Sequence, residues 1–266
     1  DRTFPQLTKN DVHGVELSMD RFIRTERLLG KRRFQQLQSK RITVVGLGAV
    51  GGYVVEGLVR AGIRHLRLID FDTIQPSNLN RQILALESTI DRPKAEVARE
   101  RVLAINSDCM VECFQMFAGD ETVDEILNPE PDLLIDAIDS LNPKTGLLHE
   151  AWMREIPTIS SMGAALRTDP TLIRSGDLFS TSNCPLAKQL RKRLRRRGVE
   201  SGISCVYSIE KIDFDYQENE DDSSACVTPF SNRGRKRNVL GSLPTITGIF
   251  GLTIANQAIM QLARTD

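Results

Sequence analysis

Apolar runs that alternate with helix-forming stretches, a glycine-rich turn between the first such pair, and a second apolar run ending in an acid predict an α/β fold. The expected architecture is a doubly wound, mostly parallel sheet with a C-terminal extension. Residues 1–40 read as an N-terminal helical arm, 41–165 as a Rossmann-like nucleotide-binding domain, and 166–266 as a C-terminal part of the same globular unit.

Asp20 to Gln38 is basic and amphipathic, with Phe22, Ile23, Leu28, Leu29 and Phe34 as its apolar residues, and predicts helix. Arg41 to Val45 is the first strand. The turn VVGLGAVGG follows, opening a helix from about Val50 to Ala61. Arg67 to Asp70 is the second strand. Pro93 suits the first turn of a helix that ends near Asn106, and Val111 to Gln115 alternates weakly as a strand. The continuous apolar run Leu133 to Ala137 marks a central parallel strand. A helix from about Lys144 to Glu155 and a strand from Pro157 to Ser161 complete the rhythm, which fails after about Ala165. Beyond it, Cys184 to Arg197 predicts helix, Cys205 to Ser208 a short strand, and the charge-blocked stretch Asp213 to Arg237 an exposed loop.

A chain of 266 residues can bury a substantial core, and its zero formal charge offers no overall steer toward nucleic acid. The five cysteines, Cys109, Cys113, Cys184, Cys205 and Cys226, are odd in number and form no C-x-x-C pair. That argues against a secreted disulfide framework and against a cysteine-only zinc site, so no zinc is expected. A reduced, cytoplasmic compartment is expected. The polar start DRTFPQLTKN does not read as a secretory signal. Val239 to Ala263 carries no charge, but Ser242, Pro244, Asn256 and Gln257 dilute it, and a buried helix is expected over a membrane span; peripheral membrane contact stays open.

Gly46, Gly48 and Gly51 permit a tight turn, close approach to phosphate and close packing of helix on sheet. The helix N-terminus adds positive partial charge. Asp70, at the next strand end, suits ribose hydroxyls. Both features serve a dinucleotide as well as ATP. The run LIDFDTIQPSNLNRQ, Leu68 to Gln82, and then Lys94 favour ATP, because a nicotinamide ligand gives no reason for Arg81 and Lys94 just past the ribose acid. A triphosphate does, through an arginine fork and a lysine point charge. Asp139, beyond the end of a central strand, is a natural Mg²⁺ ligand beside phosphates. His13, His65 and His149 stand outside this set and read as structural.

The ordered set from about Arg21 to Ala165 resembles the ubiquitin-activating-like adenylating superfamily, which includes the adenylyltransferases of molybdopterin and thiamine sulfur carriers. The resemblance implies ATP and Mg²⁺ as cofactors. Its ATP-binding set falls on Gly46, Gly48, Gly51, Asp70, Asp72, Ser77, Asn78, Asn80, Arg81, Lys94, Asp139 and Ser140, with Asp139 the metal ligand. RFIRTERLLG, Arg21 to Gly30, looks like the segment that reaches across a dimer to the partner's triphosphate, with the family arginine on Arg24 or else Arg27. A homodimer is implied.

Further matches resemble the tRNA threonylcarbamoyladenosine dehydratase branch: NRQIxAL from Asn80, KAEVxxERxxxIN from Lys94, DAIDSxxPK from Asp136, DLxxTxxxPLAKxLRxRLR from Asp177 and CVYSxE from Cys205. This branch implies a tRNA substrate whose threonine carboxylate is adenylated and then closed into a ring, with loss of water. A cysteine desulfurase or sulfur-acceptor system is a further partner that the resemblance admits. Cys205 is open to two readings, the nucleophile of the ubiquitin-activating branch or, favoured, a buried structural thiol, since no histidine flanks it.

Independently of any family, LAKQLRKRLRRRG packs Lys188, Arg191, Lys192, Arg193, Arg195, Arg196 and Arg197 into ten residues, with Leu190 and Leu194 as an apolar stripe. Such a helix suits RNA phosphates; the bland alternative is a solvated face balanced by acids such as Glu218 to Asp222. Arg233, Arg235, Lys236 and Arg237 form a second cluster. The competing function is adenylation of a ubiquitin-like or sulfur-carrier C-terminus. A NAD-dependent oxidoreductase fits only the glycine turn.

Overall fold

The structure is a computed structural model that describes residues 21–212 and 240–264. It contains helices α1 (Ile23–Leu29) and α2 (Lys31–Ser39), strand β1 (Arg41–Val45), α3 (Gly51–Ala61), β2 (His65–Ile69), α4 (Lys94–Ile105) and β3 (Met110–Phe114). These are followed by α5 (Val123–Leu127), β4 (Leu133–Asp136), α6 (Leu141–Met153), β5 (Thr158–Ser161), β6 (Ile173–Asp177), α7 (Pro185–Arg195), β7 (Ser204–Ser208) and α8 (Pro244–Leu262).

The seven strands form one sheet in the order β3-β2-β1-β4-β5-β7-β6. Every pairing is parallel except β6 with β7, which places an antiparallel strand at one edge. Strands β1 and β4, at the centre, are almost wholly buried, as expected of strands covered on both faces. One face is covered by α2, α3, α4 and α8 around Val54, Leu58, Ala98, Phe250 and Ile254. The other is covered by α5 and α6, with α7 forming its own cluster through Leu190, Leu194 and Cys205. The strand order reverses direction between β1 and β4, and a crevice at their carboxyl ends is where such sheets hold ligands.

The apolar C-terminal segment is this sheet's cover. Ile246, Phe250, Ile254, Ala255 and Ala258 of α8 are buried, and Gly57 of α3 brings the backbones close enough that a β-carbon there would lie 2.7 Å from Ala255. Burial of the Phe250 and Ile254 side chains stabilises the fold by about 1.5–3 kcal/mol each. Among the described residues no helix is long and apolar enough to cross a membrane.

Four details differ from the sequence reading. The N-terminal helical stretch is two helices, broken at Gly30, whose φ of 83° lies in the left-handed region, and Leu28 is exposed rather than part of an apolar face. Helix α6 starts at Leu141, three residues early, because Pro143 is tolerated in a first turn. The basic helix ends at Arg195, leaving Arg196 and Arg197 in the turn after it. Helix α5 and strand β6 were not anticipated: α5 spans a single turn and a fraction, and β6 (IRSGD) has no apolar alternation because it is an edge strand. The expected loop from Asp213 to Arg237, with its acids and its second basic cluster, lies outside the described residues, as do Cys226 and His13.

Candidate nucleotide site

The glycine turn is shaped by close packing against the exit of β4. A β-carbon on Gly46, at φ 91°, would stand 2.8 Å from the Ala137 carbonyl carbon, and one on Gly51 would stand 1.8 Å from the Gly46 oxygen. Neither position accepts a side chain. Gly48 differs: its β-carbon would meet only Gln82 Nε2, at 3.8 Å. Gly46 and Gly51 therefore hold the turn's shape, and Gly48 leaves room in front of it.

Asp70 braces the turn from β2. Its carboxylate accepts from the Leu47 N–H at 2.6 Å and from the Asp72 N–H at 2.8 Å. Burial pushes its carboxyl group above the usual range, Lys94 pulls it back down, and Asp72 adds to the rise. Carboxylate oxygens keep further acceptor capacity after two such bonds.

Lys94 is carried to the site by backbone pairing. Thr73 and Pro93 form an antiparallel bridge, the Lys94 N–H donates to the Asp72 carbonyl at 3.1 Å, and Pro93 caps α4 so that Lys94 is its first residue. Lys94 is 5% exposed, and its ammonium lies 3.0 Å from an Asp72 oxygen. Asp72 itself is about a quarter open to solvent.

Between these strands the loop Ser77 to Arg81 folds on itself. Asn78 is buried and accepts from the Gln75 N–H at 3.1 Å, while Ser77 stays exposed. Arg81 donates through one terminal nitrogen to the Ser77 carbonyl and to Asn80 Oδ1, both at 2.8 Å. Asn80 also reaches the Ser242 carbonyl at 3.4 Å, tying the loop to the segment before α8. Next to them Gln82 is buried, and its Oε1 has no hydrogen-bond partner among the described residues.

Asp139 and Ser140 sit at the exit of β4, where Ser140 Oγ donates to Asp139 Oδ1 at 3.4 Å. Behind them is a pair that sequence reasoning gave no role. Lys144 and Asp136 are both fully buried with N···O 2.6 Å. Lys144 also donates to the Ile138 carbonyl at 3.0 Å, and Asp136 accepts from Ser160 Oγ at 2.7 Å and the Ile138 N–H at 3.1 Å. This network sets the backbone that presents Asp139. A lysine in the first turn after D-A-I-D was the available signal. No group of three or more metal-ligating side chains occurs among the described residues.

The structure thus brings the glycine turn, Asp70, Asp72, the Ser77–Arg81 loop, Lys94 and the Asp139 loop to the carboxyl edge of the sheet. Arg24 and Arg27 do not join them. Phe22 and Phe34 pack at Gly62, and Arg21 donates to Asn106 Oδ1 at 3.1 Å, which fixes α1 at the amino edge. Five residues of β1, roughly 16 Å, separate the two edges.

Cys205 is fully buried on β7. Burial pushes its thiol up to about 12, with Asp177 and Cys184 adding to the rise, so at neutral pH it carries no nucleophilic thiolate. Of the two readings of Cys205, the geometry supports a structural thiol. The seven basic residues divide. Arg191 donates to Thr181 Oγ1 and Arg193 to Asn142 Oδ1, both held against the body. Lys188, Lys192, Arg195, Arg196 and Arg197 are exposed, and none of the seven is in an ion pair among the described residues.

Fold and site together define a doubly wound α/β protein with a glycine turn at the carboxyl edge of its sheet, braced by the strand-end acid Asp70. The chain belongs to the ThiF family, whose model matches residues 19–266. It is 37% identical to a tRNA threonylcarbamoyladenosine dehydratase of Bacillus subtilis over 72% of this chain and 76% of that one. It is 33% identical to tRNA threonylcarbamoyladenosine dehydratase 2 of Saccharomyces cerevisiae over 96% of this chain, which spans 60% of the yeast protein. The crystal structure of the Escherichia coli tRNA N6-threonylcarbamoyladenosine dehydratase in complex with ATP is similar with a TM-score of 0.79 and 31% identity, covering 97% of each chain.

Proposed function

We propose that this protein is an ATP-dependent dehydratase that adenylates the threonine carboxylate of N6-threonylcarbamoyladenosine in tRNA and closes it into the cyclic form. The observation that carries the reading is the convergence of Lys94, Arg81 and the Asp139 loop on a glycine turn built to meet phosphate. The Gln82 side chain, whose Nε2 faces Gly48 and whose buried Oε1 lacks a partner among the described residues, fits a nucleotide too, with Oε1 as an acceptor for a hydroxyl or amino donor.

A carboxylate oxygen of the substrate attacks the α-phosphorus of ATP, and pyrophosphate leaves. The carbamoyl group of the same modified base then attacks the acyl carbon, and AMP departs with the carboxylate oxygen. The net change is loss of one water against ATP cleavage. Both reactants are anions, so the barrier falls chiefly by positioning and charge neutralisation. Lys94 is held in place by Asp72 before substrate arrives, and Arg81 has its Nε and second terminal nitrogen available for phosphate oxygens. Mg²⁺, when bound, neutralises phosphate charge, and Asp139 is the side chain that would hold it; one carboxylate with phosphates and waters suffices for this ion.

Arg24, or else Arg27, acts in trans. Helix α1 buries none of its residues, exposes Arg24, Arg27 and Leu28, and sits at the wrong edge to serve its own glycine turn. A homodimer supplies this arginine from the second copy. The exposed cations of α7 and the turn after it hold the tRNA backbone. A cytoplasmic location fits these substrates. A cysteine desulfurase or sulfur-acceptor partner has no site among the described residues that argues for it.

The test is pyrophosphate release with Mg²⁺ and three acceptors: the modified tRNA, the same tRNA unmodified, and a sulfur-carrier protein. The expected result is one pyrophosphate per modified base and none with the others. Release driven by the carrier, with AMP on its C-terminus, would assign the protein to the competing adenylyltransferase reaction.

A further inference from the structure

At the amino edge of the sheet, opposite the glycine turn, lies a cleft of about 390 Å³. It is lined by the apolar side chains of Ile156, Ile203 and Met153 together with Trp152, Thr158 and Glu155. Nothing in the adenylation chemistry uses it. Its volume falls in the range of small-ligand sites.

Three observations say what it accepts. Trp152 is partly exposed, yet its ring is held in one orientation by donation from Nε1 to the Ser201 carbonyl at 3.0 Å. An exposed, fixed indole is a stacking platform. Glu155 stands at the rim at the position after α6 where glycine is the default, with φ 56°; the Glu155 N–H donates to the Trp152 carbonyl and the Ile156 N–H to the Ala151 carbonyl. A glutamate in a left-handed conformation is not needed for the helix to end, and this one lines the cleft.

The third observation is charge. Helix α7 begins beside Gly163 at the carboxyl edge, where Cys184 Sγ and Leu186 approach it; it ends at Arg195, and the segment after it runs through Arg196 and Arg197 to Ser201, whose carbonyl holds Trp152, and to Gly202 in the cleft lining. The exposed cations therefore lead from the edge of the nucleotide site to the mouth of this cleft. Arg195 lies over the Phe179 ring at 5.4 Å, which holds its charge on that path. An acid within a mouth flanked by cations suits a nucleobase with an amino group better than a phosphate.

We propose that this cleft binds an unpaired nucleobase of the tRNA substrate, stacked on Trp152 with its amino group donated to Glu155. The proposal rests on the tRNA reading above. It makes a second RNA subsite, at the opposite edge of the sheet from the glycine turn.

Trp152 is the only tryptophan in the chain, so its emission reports this cleft alone. Titration with 5′-labelled tRNA carrying the modified base gives binding from label anisotropy and cleft occupancy from tryptophan emission. The expected result is quenching that saturates with the anisotropy. Trp152→Leu then raises the tRNA KM about tenfold and leaves the ATP KM unchanged, whereas Trp152→Phe stays within about twofold of wild type. Glu155→Gly, which suits the helix end, keeps the thermal midpoint and also raises the tRNA KM. Binding without quenching, or a Leu variant within twofold of wild type for tRNA, overturns the subsite while leaving the dehydratase reading intact. Absence of tRNA binding overturns both.

Discussion

Two lysine–aspartate pairs stand on either side of the glycine turn, and access to solvent separates them. Lys144 and Asp136 are both fully buried, joined at 2.6 Å and bonded further to Ile138 and Ser160. Lys94 and Asp72 are joined at 3.0 Å, with Asp72 facing the crevice. The first pair is sealed from solvent, and its bonds are to each other, to the Ile138 backbone and to the Ser160 hydroxyl. In the second, incoming phosphate can compete for the lysine. On the function proposed above, equivalent chemistry serves the fold in one place and substrate in the other, and the difference lies in the surroundings.

Breaking the sealed pair has the largest expected effect on stability. Lys144→Ala leaves a buried carboxylate unpaired and costs about 3–5 kcal/mol, a fall in the thermal midpoint on the order of 10 °C. Adding Asp136→Asn to Lys144→Met should recover most of that loss in a thermal melt; failure to recover would mean that the pair is not a self-contained unit. Lys94→Ala should do the reverse, with the melting midpoint within a few degrees of wild type and turnover down by at least 10²-fold. Equal losses of stability in the two lysine variants would remove the distinction.

The comparison also marks how far the sequence alone could be read. Gly46, Gly51 and the run Leu133 to Ala137 were legible because backbone geometry leaves few alternatives at those positions. The turn's role for Gly46 and Gly51 is steric, and the structure shows the atoms they would strike. Lys144 was not legible as a structural charge, since a lysine at a helix start ordinarily faces water. Edge strand β6 carried no periodicity to find. The seven-residue basic run read as one uniform face, yet tertiary contacts fold Arg191 and Arg193 inward through Thr181 and Asn142. The opposite placement of α1 could not come from local pattern at all, because it depends on where Gly62 and Asn106 end up.

Smaller effects sharpen the picture. Reversing charge at Lys188, Lys192 and Arg196 together should raise the tRNA KM by about tenfold or more, flatten its dependence on salt, and leave ATP-binding constants unchanged. A salt slope equal to wild type would move the RNA path elsewhere. Cys205→Ser should retain turnover, apart from any loss traceable to a lowered melting midpoint, because a thiol pushed up to about 12 has no nucleophilic form at pH 7. Loss of all turnover in a folded serine variant would restore the nucleophile reading.

The smallest effect lies in the helix layer. Burial raises the Glu56 carboxyl, but bonds from Arg101 and Arg60 outweigh it and leave the group below its usual range. A depressed carboxyl contributes stability above the unfolded value near 4.3 and loses it as pH falls through the folded value. Glu56→Gln should therefore cost about 1 kcal/mol or less at pH 7, and the difference from wild type should shrink as pH falls below about 4 in chemical denaturation.

The most direct test of the central claim is nucleoside mass spectrometry of threonylcarbamoyladenosine-containing tRNA after incubation with ATP and Mg²⁺. With wild-type protein the modified adenosine should lose one water, and with folded Lys94→Ala it should not. Unchanged nucleoside with wild type, or full dehydration by Lys94→Ala, would contradict the account.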